Sequence, residues 1–167
     1  MDVYDKISDL LWQKGVEFKT HRHEAVRTIE DAKRIAPALV PALLKTVAFK
    51  IKDSFWVLAA VRSQDRIDYR KLAAAFHVNR RQLRTLGAEE VESELGYEVG
   101  GVGPIPVRED VKAIFDVNLR NLGTIYCGSG RNTRTLELKF TDLLAAAGGC
   151  EHPIARESSE GEAGKTA

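Results

Sequence analysis

The sequence predicts an α+β domain built on a mixed sheet. Three observations carry this reading: several short apolar runs with the alternation of strands, short amphipathic helical stretches between them, and a composition of 44% apolar and 29% charged residues. That composition supplies a core while staying far from the disordered and fibrous extremes. The 167 residues suit one domain rather than two. No run approaches the roughly eighteen uncharged apolar residues of a membrane span. Asp2, Asp5, Lys6, Asp9 and Lys14 speak against a cleaved signal peptide, so a cytoplasmic protein is expected.

The elements follow in order. Between Asp2 and Lys14, residues Val3, Ile7, Leu10 and Leu11 fall on one helical face, and Gly15 stands where a C-terminal cap belongs. Val16 to His21 reads as a short strand. Thr28-Ile-Glu-Asp31 opens a helix with a capping hydroxyl and early acids, and that helix ends before Pro37. Leu44 to Ile51 and Phe55 to Val61 are strands joined by Lys52-Asp53-Ser54 as a hairpin. Tyr69 to Phe76 and Ala88 to Leu95 are helices, the second acidic at its start, which suits the helix dipole. Gly96 to Pro106 holds four glycines and two prolines and is a shaped loop. Lys112 to Val117, Gly123 to Cys127 and Thr135 to Lys139 are strands, and Phe140 to Ala147 is a closing helix stopped by Gly148 and Gly149. The predicted organisation is one domain over 1–147 and a polar, flexible tail over 148–167.

The net charge of +1 hides a segregation. From Arg62 to Arg84 there are seven basic residues against Asp65 and Asp68, a local excess of five, and Glu89 to Glu98 contributes five glutamates without a base. This is either a polyanion patch, with Arg80, Arg81 and Arg84 as its densest part, or a solvated helix face.

Several residues could carry chemistry. Alternation places Lys45 with Val47, Phe49 and Ile51 on the apolar side of its strand. Its ammonium there either snorkels to water or sits in a partly dry pocket, where it can bind an anion or polarise a carbonyl. Gly100-Gly101-Val102-Gly103-Pro104 and Gly128-Ser129-Gly130 can bring backbone N–H groups close to an oxyanion, phosphate or ribose, or can simply make tight turns. Neither matches a P-loop or a dinucleotide fingerprint. His21 and His23 lie two apart, but no third ligand stands at a metal-site spacing, so neither a metal nor another cofactor is expected. Cys127 is either a nucleophile served by a histidine or a small buried hydrophobe. Both cysteines, Cys127 and Cys150, read as free thiols.

Taken in order, His23, Thr28-Ile-Glu-Asp-Ala32, Leu44-Lys45-Thr46-Val-Ala-Phe49, Tyr97-Glu-Val-Gly100-Gly101-Val102-Gly103-Pro104, Ile125-Tyr-Cys-Gly128-Ser129-Gly130-Arg131 and Thr135-Leu-Glu-Leu138 resemble the YbaK/EbsC family. These are free-standing aminoacyl-tRNA deacylases related to the editing insertion of bacterial prolyl-tRNA synthetase. The resemblance covers roughly residues 1–147. It implies a twisted mixed sheet, partly barrel-like and flanked by helices, and hydrolysis of the ester of a mischarged tRNA carrying a small amino acid, related to tRNA(Pro). Lys45 matches the family's essential lysine, whose fixed charge would contact the terminal adenosine phosphate or the ester carbonyl. Gly100 and Gly101 match its catalytic loop. His23, Thr46, Val102, Gly103, Pro104, Gly128, Ser129, Gly130 and Thr135 match its substrate pocket.

The implied partners are the 3′ acceptor end of an aminoacyl-tRNA and a synthetase, with no membrane and no DNA. Such chemistry needs no side-chain nucleophile, since the ester is activated and positioning with oxyanion stabilisation supplies the acceleration. Thr135 stands where the subgroup acting on Cys-tRNA(Pro) carries an aspartate, and Ile105-Pro106-Val107 departs from the pattern after the loop proline. Alanine, serine, threonine, cysteine and small non-protein amino acids therefore all remain as the cleared residue. The competing readings are a non-catalytic module binding tRNA 3′ ends or a synthetase, and a thiol hydrolase acting through Cys127.

Overall fold

A computed structural model describes residues 1–157. Local capping chemistry starts most of the helices. The Asp2 carboxylate accepts from the Asp5 N–H at 2.8 Å and opens α1 (Val3–Gln13), which buries Val3, Ile7 and Leu11 as one stripe. After β1 (Lys19–Arg22), the Thr28 hydroxyl caps α2 (Ile29–Ile35), and a 3₁₀ stretch over Pro37–Ala42 leads into β2 (Leu44–Ile51). The hairpin to β3 (Trp56–Arg62) turns through Asp53 at φ +56°, a conformation aspartate tolerates better than most residues. Asp68 caps α3 (Tyr69–Ala75) with bonds from the N–H groups of Arg70 and Lys71. Next come β4 (Leu83–Thr85), α4 (Ala88–Leu95), β5 (Val111–Asp116), β6 (Thr124–Gly128), β7 (Arg134–Lys139), α5 (Phe140–Ala147) and β8 (Cys150–His152).

The strands form two sheets. The larger has the order β4-β2-β3-β5-β8, with β3/β5 and β5/β8 parallel and the other pairs antiparallel, so it is mixed as expected. The smaller is antiparallel, in the order β1-β7-β6. A parallel bridge between Leu43 and Tyr126 links them, and the barrel-like curvature expected from the resemblance stops short of closure.

Alternation along β2 and β3 sorts side chains to two cores. Leu44, Ala48, Leu58 and Ala60 face a core shared with α1, α4, α5 and the small sheet, while Phe49, Ile51, Val57, Ala59 and Val61 face α3. Covered on both sides, β3 is apolar almost throughout. No helix among the described residues is long and apolar enough to cross a membrane.

The domain does not end at residue 147. Strand β8 pairs with β5, Ile154 is fully buried, and Ala155 bridges Ile67. Asp116, only 1% exposed, accepts from the N–H groups of Ile154 and Ala155, both at 2.9 Å, and of Asn118 at 3.0 Å. A buried carboxylate is tolerable because those three donors replace its water. The expected flexible tail is thus corrected for residues 148–157, which pack as part of the fold; the rest of that expectation, 158–167, lies outside the described residues. Ile154→Ala should lower unfolding free energy by about 2–5 kcal/mol, as for other buried aliphatic truncations. Urea denaturation would check this, and an unchanged midpoint would return the segment to the role of a tail.

Candidate functional site

Two glycine-rich loops meet beside the start of β2. A Cβ on Gly103 would stand 2.0 Å from the carbonyl oxygen of Gly128, and one on Gly128 would stand 2.0 Å from that of Val102. A Cβ on Gly101 would lie 2.6 Å from the Arg131 backbone. Glycine is required here because backbone packs on backbone. Hydrogen bonds complete the junction: Gly101 N–H to Glu98 O and Gly130 N–H to Gly101 O, both 2.7 Å, and Glu98 N–H to Gly130 O at 3.0 Å. Asn132 ties in further, its N–H donating to the Glu98 carboxylate at 2.8 Å and its amide to Val99 O at 2.9 Å. Buried Tyr97 donates to Ile105 O at 2.6 Å and shapes the rest of the loop.

Next to this junction lies a cavity of about 360 Å³. Ile29, Ala32, Ala36 and Leu39, from α2 and the 3₁₀ stretch, give it an apolar wall. The start of β2, including Lys45 and Thr46, faces them, and Gly100, Val102, Gly128, His23 and Thr135 complete the lining. The sequence-predicted residues therefore divide. Lys45, Gly100, His23, Thr46, Val102, Gly128 and Thr135 come together, whereas Gly101, Gly103, Pro104, Ser129 and Gly130 do not reach the wall. Both polar groups of Gly101 are spent on the loop junction, and the Ser129 hydroxyl donates within its own turn to Arg134 O at 2.6 Å. Gly130 stands at φ +94° and packs against Val3 of α1.

The lysine occupies the partly dry position. Lys45 is half-buried and its ammonium donates to the Asp65 carbonyl oxygen. Burial lowers its pKa below 10.5, the nearby positive Arg66 lowers it further, and Asp65 opposes them. The His23 ring is oriented by two contacts, Nδ1 to Glu24 O at 2.7 Å and Nε2 to Thr135 Oγ1 at 2.8 Å. A carbonyl only accepts, so in the neutral ring Nδ1 carries the proton and the Thr135 hydroxyl donates to Nε2. That leaves the free lone pairs of Thr135 as acceptors. Thr46 Oγ1 is buried without a hydrogen-bond partner among the described residues, an arrangement that costs free energy unless a ligand supplies one. The N–H groups of Gly100 and Val102 likewise donate to no protein acceptor among the described residues.

Sequence reasoning missed the α2 wall and the rim. Ile29, Ala32 and Ala36 have helical spacing, but that stripe reads as ordinary core. Nothing local marks Arg27, Asn132, Arg131 or Arg134 as cavity residues. Arg134 stacks on Tyr4 at 4.5 Å, and Arg131 pairs with Asp2, Nε to Oδ2 at 2.9 Å.

The other candidates lie elsewhere. Strand β4 pairs with the far end of β2, so Arg84, opposite Lys50, stands roughly 17 Å along the strand from Lys45, and Arg80 and Arg81 lie in the 3₁₀ turn that leads into β4. Arg80 stacks on Tyr69 at 4.6 Å and Arg84 pairs with Glu90 at 2.8 Å. Cys127 is fully buried in the main core, with its thiol pKa pushed up to about 12 by desolvation, which overturns the thiol-hydrolase reading. His21 bonds Glu137 at 2.8 Å, and no group of three or more His, Cys, Asp or Glu able to hold a metal ion occurs among the described residues.

The profile of a family described as the aminoacyl-tRNA editing domain matches residues 23–146. The chain is 25% identical over 116 residues to the uncharacterized protein YwhH of Bacillus subtilis, covering 70% of this chain and 72% of that one. It is 32% identical over 104 residues to the proline–tRNA ligase of the same organism, covering 62% of this chain. It spans only 18% of that ligase's length. A crystal structure described as a candidate trans-editing enzyme for prolyl-tRNA synthetase superposes with a TM-score of 0.78 at 21% identity, over 94% of this chain and 99% of that one. The hypothetical protein APE2540 gives a TM-score of 0.78 at 20% identity, over 90% of this chain and 99% of that one. At such identities the structural likeness establishes the fold.

The burial of the two thiols differs enough to read directly. A maleimide should modify the folded protein once, at exposed Cys150, and reach Cys127 only after denaturation. Mass spectrometry of native and unfolded samples would check this, and rapid native labelling of Cys127 would restore it as a reactive group.

Proposed function

Because this chain belongs to the aminoacyl-tRNA editing domain family, we propose that it is a trans-editing deacylase that hydrolyses the ester of a mischarged tRNA carrying a small amino acid. The observation that carries this reading is that half-buried Lys45 lines one cavity with Gly100 and Val102, whose N–H groups donate to no acceptor among the described residues. In the proposed step water adds to the ester carbonyl, charge develops on its oxygen, and the bond to the ribose oxygen breaks. The products are the amino acid and a free 3′ terminal hydroxyl. The Gly100 and Val102 amides would receive the developing oxyanion, so the amide pair shifts by one residue from the Gly100/Gly101 pair read in the sequence. Lys45 would hold the terminal adenosine phosphate or the carbonyl by fixed charge. No protein nucleophile is called for, in keeping with an activated ester.

The lining also speaks to the amino acid. The apolar α2 wall suits a small side chain, while the orphan Thr46 hydroxyl and the acceptor lone pairs of Thr135 suit a substrate with polar hydrogens. A site with unpaired hydrogen-bonding groups discriminates more steeply than one judging size alone. The prolyl-tRNA synthetase relatives favour tRNA(Pro) as carrier and a synthetase as a further partner.

A panel of tRNA(Pro) charged with alanine, serine, threonine or cysteine tests the reaction. Lys45→Ala should lower turnover by roughly 10²-fold or more, the scale of a lost oxyanion or phosphate contact. Lys45→Met keeps the stem and removes the charge, so it should lower turnover by a similar factor while the protein melts near the wild-type temperature. Binding of tRNA without turnover in wild type would favour the non-catalytic module.

The pH dependence has a definite sign. The folded-state pKa of Lys45 is below its unfolded value, so its ammonium opposes folding at neutral pH and that cost is relieved as pH rises through the folded pKa. Enzyme-dependent hydrolysis, after subtraction of the uncatalysed rate, should therefore decline at a pH below 10.5 as the charge is lost. A rate that holds through that range would remove the charge from the mechanism.

A further inference from the structure

The arginines of this chain differ in what they contact. Arg84 pairs with Glu90, Arg108 with Asp110, Arg120 with Glu151 and Arg131 with Asp2. Arg22, Arg27, Arg70 and Arg81 make no side-chain hydrogen bond or ion pair among the described residues. Beside the Lys45 end of β2, Arg66 and Arg156 are exposed and also make none among the described residues. Arg62 has a buried Nε without a partner, and its guanidinium makes only a long 3.5 Å approach to Asn118 O.

Their positions are held by backbone. Arg62 faces Leu44 across the β2–β3 pair, one residue from Lys45. The antiparallel bridge Ile67–Ala155, with the Arg156 N–H donating to Arg66 O at 2.7 Å, makes Arg66 and Arg156 cross-strand neighbours. Like charges set opposite each other oppose folding, and here the Lys45 ammonium lies within electrostatic reach as well. Arg66 and Arg156 are set apart from the other unpaired arginines by standing together next to the Lys45 ammonium, with the Asp65 carboxylate beside it. A row of exposed cations on separate segments suits a chain of anions better than one ion, which convergent donors would clasp.

We propose that Arg66 and Arg156 form a track for the phosphodiester backbone of RNA leading to Lys45 at the cavity. The track lies at the opposite end of β2 from Arg80, Arg81 and Arg84. It rests on the editing reading only in taking the cavity as the seat of the RNA 3′ end.

The probe is an uncharged acceptor-stem minihelix ending in CCA, with binding followed by fluorescence anisotropy across a salt series. The double variant Arg66→Gln/Arg156→Gln should bind roughly 10-fold more weakly at low salt, with the slope of log affinity against log salt reduced by about two. Both side chains are exposed and the strap is held by main-chain bonds, so the melting temperature should stay at the wild-type value. Arg81→Gln, an exposed cation at the other end, should bind as wild type. Unchanged affinity and slope in the double variant would overturn the track, and so would an equal loss in Arg81→Gln. Since the minihelix carries no amino acid, absence of deacylation would sink the enzymatic reading and leave this result standing.

Discussion

Contact of bare backbone with bare backbone, at Gly103 against Gly128 and Gly128 against Val102, is the constraint on which the site depends. It draws the loop between α4 and β5 onto the turn between β6 and β7, and so ties the small sheet to the large one near the start of β2. The cavity is what remains between that junction, α2 and the strand carrying Lys45. A methyl group at either glycine would force the loops apart by more than a side chain can absorb, and the cavity would lose two of its walls together. Cooperative loops of this kind preorganise amides before any ligand arrives, which is what electrostatic stabilisation of a transient charge needs.

Electrostatics adds a second layer. A net charge of +1 says little about where charge acts. Part of the surface charge cancels locally through arginine–carboxylate pairs, while Arg66, Arg156 and Lys45 stand together at one end of β2. The basic run from Arg62 to Arg84 is contiguous in sequence but not in space, because α3 and β4 carry its second half to the far end of the sheet. A patch defined along the chain therefore splits when the chain folds.

What could be read in the sequence follows the same logic. Strand β2 and helices α4 and α5 match their expected bounds because period, caps and glycine stops are local signals. The three-residue strands β4 and β8 carried no such signal, since their extended form comes from edge pairing with β2 and β5. Lys45, Thr46 and Gly100, singled out by the family-like motif, line the cavity. Gly101, Gly103 and Ser129 share that motif but serve the junction, a distinction that only the partner loop reveals. The rim arginines Arg27, Arg131 and Arg134 carried no local pattern, because they reach the cavity only through the folding of separate segments.

The carboxylate of Asp116 has a further consequence for how the protein comes to be folded. Its two deep donors, the N–H groups of Ile154 and Ala155, lie 38 and 39 residues further along the chain. During synthesis β5 emerges well before them, and until they arrive Asp116 has no buried state to occupy. The pairing of β8 on β5 and the Ile67–Ala155 bridge therefore come last in chain order, and non-local contacts such as that bridge slow folding. The Arg66–Arg156 neighbourhood is assembled by that same last step. In chain order the glycine junction and Lys45 are complete by residue 132, whereas the Arg66–Arg156 neighbourhood waits for residue 156.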